Sequence, residues 1–378
     1  MKRMITIVLT LILGLSALAA CAVAEGVPQG VPPQTDPRCG LLTMLNIGEE
    51  EYAAFLEARH LIGDRLIREG YASMEPLIAP PPEGENPPAP EGAPDGGKQL
   101  PPPGEGPGPK PIIVYYDTLD AMLMALNAGD IGSMELYQSV GRYLCATNDN
   151  LRLGMSYDLS KERNVFAQRV FSTILGNDFA FLMLEGNADL RDQFNEAITS
   201  MKADGTLDRL VKEQIEDMIA SLVTAPITMP VADGARTIRV AVTGSLPPMD
   251  YVAADGTPAG FNTAVLAEIA SRTGLNIELV VVDSIGRAAA LASGAVDAVF
   301  WTRTSAEDAR LRALSEAEFQ AEKAKMEAVL TEEEIAVFDR IPAIAENPVS
   351  AYNSADMPEG TITTDAYYSD VFIPVERM

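Results

Sequence analysis

Between Thr237 and Trp301 the chain alternates two kinds of apolar pattern, and that alternation constrains the fold more than any other feature. Ile238 to Val242 reads as a strand. Asn262 to Arg272 has helical spacing and stops at Gly274, with an Asp255-Gly256 turn before it. Ile277 to Val282 is a second strand, Ile285 to Ala292 a second helix stopped at Gly294, and Ala298 to Trp301 a third strand. Strands joined through helices of this length run parallel in one sheet, with right-handed crossovers. The class is therefore α/β.

A looser version of the pattern comes earlier. Ile112 to Tyr116 is a buried-strand run, followed by a helix from Leu119 to Asn127 and the turn Gly129-Asp130. Ser133 to Tyr137 and Phe179 to Leu184 read as further strands, and Asn187 to Met201 and Leu207 to Leu222 as amphipathic helices. The helix-then-Gly-Asp unit Leu119 to Asp130 echoes Ile285 to Asp297. Around these two α/β segments, 112–225 and 236–303, the sequence predicts other material. Residues 21–42 are Pro- and Gly-rich and predict a tether. Residues 43–75 predict a helical segment, 76–111 an extended Pro-rich linker, 304–345 an Ala- and Glu-rich helical insertion, and 346–378 a closing segment and strand.

The start of the chain predicts export. Met1-Lys2-Arg3 is basic, Ile5 to Leu18 is an apolar run too short to span a bilayer comfortably, and small residues follow, so 1–20 has the layout of a signal peptide. Leu18-Ala19-Ala20-Cys21 resembles the lipobox of bacterial lipoproteins. That resemblance implies acylation of Cys21 and anchoring to the lipid bilayer at the outer face of the cytoplasmic membrane or in the periplasm; ordinary cleavage after Ala24 is the alternative. A formal charge of −26 repels phosphate backbones, which argues against a nucleic-acid partner. Cys39 and Cys145 could pair in an exported chain or stay separate thiols. His60 is the only histidine, and no Cys-x-x-Cys accompanies it, so neither a metal site nor a Ser-His-Asp set is readable, and no cofactor is implied.

Residues 237–301 resemble the opening lobe of family 3 extracellular solute-binding proteins. The likeness runs through Ile238-Arg239-Val240-Ala241-Val242, Pro247-Pro248, Tyr251, Asp255-Gly256, Gly260-Phe261, Thr273-Gly274 and the stretch Ala290 to Val299. Asp365-Ala366-Tyr367-Tyr368 is similar to the element that precedes the family's hinge strand. Tyr116-Asp117-Thr118-Leu119 and Asn187 to Lys212 are similar to parts of its other lobe. The resemblance implies a two-lobed, type II periplasmic-binding-protein-like α/β fold. The second lobe's elements come first here, as if the chain were permuted or built of incomplete copies, with helical and Pro-rich insertions. The strand that opens the second lobe has no clear match. The implied function is non-enzymatic capture of a small polar or anionic, amino-acid-like ligand for a membrane permease. The alternative is a surface interaction or sensory lipoprotein with a degenerate binding fold.

In an open parallel sheet, ligands meet the carboxyl ends of the strands. On that rim lie Thr302 and Arg303, whose guanidinium suits a two-pronged grip on a carboxylate, with Glu307 as a competing surface partner and Arg310 as a competing clamp. Trp301 either walls the cleft or finishes the core. Asp250 and Tyr251 follow the Pro-Pro turn where the family places an aromatic contact. Arg287 occupies the first turn of a helix, where the macrodipole disfavours a cation, so it predicts either a task at the cleft or a solvated arginine. Asn262 reads as a helix cap. In the other lobe the candidates are Thr118, Glu135 and Tyr137, the last in the place where the family commonly has an aspartate.

Overall fold

The computed structural model describes residues 38–45, 47–61, 112–154, 178–283, 286–304, 315–346 and 359–378. All of them belong to one compact unit, Asp36–Met378. Within it two sheets, each with its own helices, form two lobes.

Lobe A is built on strands β1 (Arg38–Leu42), β2 (Ile112–Tyr116), β3 (Ser133–Tyr137), β14 (Phe372–Arg377) and β4 (Leu151–Leu153), in the spatial order β2-β1-β3-β14-β4. β1 pairs parallel with β2 and β3, and β14 pairs antiparallel with β3 and β4. Helix α1 (Glu49–Leu61) carries the crossover from β1, α2 (Leu119–Ala128) joins β2 to β3, and α3 (Gln138–Thr147) follows β3. Lobe B has the order β10-β6-β11-β5-β12, from β10 (Asn276–Val281), β6 (Thr237–Val242), β11 (Ala298–Thr304), β5 (Asp178–Leu184) and β12 (Thr361–Thr363); β13 (Tyr368–Ser369) also pairs with β5. β6 lies parallel to β10 and β11, while β5 runs antiparallel to β11. Helices α7 (Phe261–Thr273) and α8 (Gly286–Ala292) make the two crossovers. The small strands β7 (Ser245–Leu246), β8 (Asp250–Val252) and β9 (Pro258–Ala259) form a separate ribbon after β6.

Both sheets thus share one plan. Three parallel strands stand in the order second-first-third, and beside the third lies an antiparallel strand that arrives from the other lobe. β14 comes to sheet A from lobe B, and β5 comes to sheet B after the strands of lobe A. β14 and β1 stand at opposite ends of the sequence. They nevertheless sit close together. Cys39 is in register with Ser133, and Ser133 with Glu376, so two strand spacings, about 10 Å, separate them.

β1 corrects the reading of residues 21–42 as tether throughout, and it supplies the strand that the family resemblance lacked. Five residues following a Pro-rich run give no usable periodicity. What fixes the strand is packing. An added Cβ at Gly40 would stand 2.6 Å from Ile131 Cδ1 and 2.9 Å from Met122 Cγ, so only glycine lets α2 and the loop after it approach. Within the predicted helical segment 43–75 the described residues form a 3₁₀ turn at Thr43–Leu45 and α1, and residues 62–111 lie outside the described set. α2 starts on Thr118, whose hydroxyl accepts the Ala121 N–H at 3.2 Å. Helix α4 (Ala188–Ala203) follows β5. Helices α5 (Thr206–Val211) and α6 (Asp217–Ser221) follow α4, continuous through a π turn at Lys212–Glu216.

The helical insertion is a hairpin, α9 (Glu316–Glu327) and α10 (Glu332–Glu346). Ser315 and Glu318 form a reciprocal capping box at the start of α9. The hairpin belongs to lobe B by sequence, yet α10 packs against α1 of lobe A. There Arg340 pairs with Glu57 at 2.5 Å. No described helix is long and apolar enough to cross a membrane.

Candidate ligand-binding cleft

The two lobes meet near the carboxyl ends of their parallel strands. In lobe A these ends are Thr43, Asp117–Thr118 and Gln138; in lobe B they are Thr243–Gly244, Val282–Asp283 and the end of β11. The 3₁₀ turn after β1 and the start of α3 meet lobe B directly. Arg287 Nη1 donates to the Met44 carbonyl at 3.1 Å, and Ser139 Oγ contacts Met249 Sδ at 3.4 Å.

Arg287 is the best defined of the predicted site residues. It is 3% exposed, which rules out the solvated reading. Its Nη2 donates to the Phe300 carbonyl at 3.0 Å, and its Cζ lies 6.0 Å from the Phe300 ring centroid. One guanidinium therefore spans carbonyls of both lobes. Asp250 lies close enough to feel its charge. Asp250 itself is buried and anchors the loop after β6, accepting from Thr243 N–H and Oγ1 at 2.8 Å each and from Gly244 N–H at 2.7 Å. Burial pushes its carboxyl above the usual range against those bonds. Tyr251 is half-buried, its hydroxyl 2.9 Å from Thr224 Oγ1.

Thr302 is buried near the end of β11, and its hydroxyl has no partner among the described residues. Arg303 pairs through its backbone with Phe179 of β5. The side chains of Trp301 and Arg303, and all of Glu307 and Arg310, lie outside the described set.

In lobe A, Thr118 is at the rim but serves as the cap of α2. Glu135 and Tyr137 share the other face of β3 from Met134 and Leu136. Glu135 is 2% exposed and accepts from Tyr52 Oη of α1 at 2.6 Å and from Ser133 Oγ at 3.1 Å. Tyr137 stacks edge-on with Phe179 and Phe372, at 4.6 and 5.0 Å between centroids. The structure therefore places Glu135 inside lobe A and Tyr137 where β5 and β14 leave one lobe for the other. It does not bring either together with Arg287. Asn262 does not cap α7. The first two N–H groups of that helix bond Pro248 and Met249 carbonyls, and Asn262 Oδ1 accepts instead from Tyr367 Oη at 2.8 Å.

The crossing between β13 and β14 holds a polar cluster that sequence reasoning missed. Asp370 Oδ2 accepts from Ser139 N–H at 3.0 Å and Oγ at 2.5 Å, and Oδ1 accepts from Val371 N–H at 2.7 Å. A residue of the crossing strand thus caps α3. Burial raises the Asp370 carboxyl to about 6, although the Ser139 and Val371 bonds oppose the shift, and it raises the Tyr368 phenol as well. Arg142, one turn along α3, makes a two-pronged pair with Glu216 at 2.7 Å. Asp370 lies two residues past the Asp365–Tyr368 element, but that likeness carries no signal for a cap on a helix 231 residues away. Cys39 is buried in lobe A, and Cys145 is a free thiol that burial lifts to about 11. Among the described residues no group of three or more His, Cys, Asp or Glu side chains is placed to hold a metal.

Residues 238–331 match the profile of the bacterial extracellular solute-binding proteins, family 3, which bears out the resemblance read from the sequence. The match falls on lobe B and α9. No curated protein matches the chain. Among solved structures it is similar to the ligand-binding component of an ABC-type import system from Staphylococcus aureus with zinc bound. Identity there is 7% over 90% of this chain and 65% of that one, with a TM-score of 0.35. It is similar to a binding protein from A. tumefaciens R10 in complex with agropinic acid, at 11% identity, 70% and 54% coverage and a TM-score of 0.33. It is also similar to the periplasmic aliphatic sulphonate binding protein of Escherichia coli, at 13% identity, 88% and 82% coverage and a TM-score of 0.30. The chain spans less than two thirds of the first two of these proteins.

Proposed function

We propose that this chain, of the family 3 solute-binding type, works outside the cytoplasm as a lipid-anchored binding protein. Its two lobes enclose a small polar or anionic, amino-acid-like ligand and deliver it to a membrane permease. The observation that carries the reading is the pairing of a family 3 match on lobe B with a second sheet of the same strand order that touches it at the turn after β1 and the start of α3. Binding of this kind needs no covalent step: a guanidinium meets an anionic group, and hinge motion about the two crossing strands traps the solute.

Arg303 is the proposed clamp, with Thr302 beside it offering a buried hydroxyl. Cys21 is the proposed lipid attachment point, since two acyl chains anchor stably where one is marginal. A thermal-shift screen of amino acids and small organic anions tests the reading, because a ligand that binds only the native state raises Tm. For a ligand so found, Arg303→Gln should weaken binding by about 2–3 kcal/mol, roughly 30- to 150-fold, by calorimetry. One observation favours the other reading, an interaction or sensory lipoprotein: Asp250 and Arg287 are already engaged by the protein itself. A wide screen with no hit would make that the better account.

A further inference from the structure

We infer that the two lobes rest closed without any ligand, with Arg287 acting as a staple across the cleft. The inference deepens the binding-protein reading, but the closure itself is a property of the protein alone.

Three features carry it. The first is the position of the guanidinium. Met44 belongs to the turn that ends β1 in lobe A, whereas Phe300 sits within β11 of lobe B, and Arg287 bonds both carbonyls at 3.1 and 3.0 Å. Two donors on one rigid fork fix the separation of those carbonyls far more narrowly than a single flexible ammonium could. Opening the cleft would break the Met44 bond and expose a side chain now 3% accessible.

The second feature is the α9–α10 hairpin. The chain leaves lobe B after β11 and returns to it at β12, yet α10 lies on α1 of lobe A. Phe338 on α10 is 1% exposed, and Arg340 holds Glu57. The hairpin, which follows β11 in the sequence, thus packs on lobe A. The third feature is the start of α3, where Ser139 meets Met249 of lobe B and Arg142 grips Glu216, in the helical run that packs on α7. All these ties use the protein's own groups, so closure requires no solute. A charge-assisted hydrogen bond of ordinary strength shifts the ratio of closed to open forms by roughly ten- to a hundredfold.

The test measures the distance between the lobes directly. Spin labels at Met124→Cys on α2, which is 72% exposed, and at Glu278→Cys on β10 report it by pulsed electron resonance. The background is the full chain with Cys21, Cys39 and Cys145 replaced by alanine. Without ligand the expected result is one narrow distance distribution. Arg287→Met, which keeps the bulk and removes the fork, should add a longer-distance population and lower the closed-to-open ratio at least tenfold. Arg287→Lys should fall between the two, and it carries the comparison if the methionine variant fails to fold. A broad or bimodal distribution in the unsubstituted protein would overturn the inference, as would variant distributions that superimpose on it. Failure of the solute screen leaves this measurement untouched, so the two readings fail separately.

Discussion

Asp370 makes the stability of this protein depend on pH in a direction opposite to the usual one for a bonded carboxylate. Its folded-state value of about 6 lies above the ordinary 3.8 because burial outweighs the bonds from Ser139 and Val371. The sign follows from counting protons. Below pH 4 the carboxyl is protonated in both folded and unfolded chains, and it contributes nothing to the dependence. Between about 4 and 6 the folded chain keeps a proton that the unfolded chain has released, so stability falls as pH rises. Above 6 both forms are ionised and the penalty is complete. At 1.36 kcal/mol per pH unit the gap corresponds to about 3 kcal/mol. Urea unfolding at steps from pH 4 to pH 7 reads it as a falling extrapolated stability. Buried Asp250, also raised, and mutual repulsion within a chain of formal charge −26 give slopes of the same sign. The comparison that matters is therefore with Asp370→Asn, which should flatten the wild-type curve by up to that amount. Equal slopes in the two proteins would refute the argument and show that Asp370 ionises normally in the hinge.

Two further perturbations follow from the packing and one from the reading of Cys21. Gly260→Ala places a Cβ 2.7 Å from the Met249 carbonyl oxygen at a φ of +101°, and should cost on the order of 3 kcal/mol in urea unfolding. Tyr52→Phe removes the hydroxyl that Glu135 accepts at 2.6 Å inside lobe A, with an expected loss of about 2 kcal/mol and no change in solute affinity by calorimetry. Cys21→Ala should move the protein from the membrane fraction to the soluble one with its circular dichroism spectrum unchanged; persistence in the membrane pellet would count against lipid anchoring.

The sequence was most informative where one element's pattern stands alone. β6, α7, β10, α8 and β11 were legible because apolar runs of strand length alternate with helices that end on Gly274 and Gly294. β1 was not, since RCGLL owes its place to neighbours 74 and 94 residues away, Ile112–Tyr116 and Ser133–Glu135. α3 and β4 were missed for a related reason. Gly141 weakens a helical reading of Gln138–Thr147, and it is there because Val375 and Leu153 lie 3.1 and 3.2 Å from where a Cβ would stand. At the site, Arg287 betrayed itself by sitting against the helix dipole. Glu135 and Tyr137 are both buried, Glu135 against Tyr52 of α1 and Tyr137 beside Phe179 and Phe372, and none of these partners is near them in the sequence. The hinge aspartate had no local pattern at all, because its partner Ser139 is 231 residues distant.

The neighbourhood of β1 and β14 has a mechanical consequence. Tension applied to the chain ahead of Arg38 enters the protein through β1, a strand held on both sides by parallel partners. It is resisted in shear, with the hydrogen bonds to β2 and β3 loaded together instead of one after another. The load passes into sheet A, which also holds the far end of the sequence in β14. Lobe B lies off that line of force. A pull on the chain ahead of Arg38 is therefore borne first by sheet A, and it reaches lobe B only through what joins the two lobes.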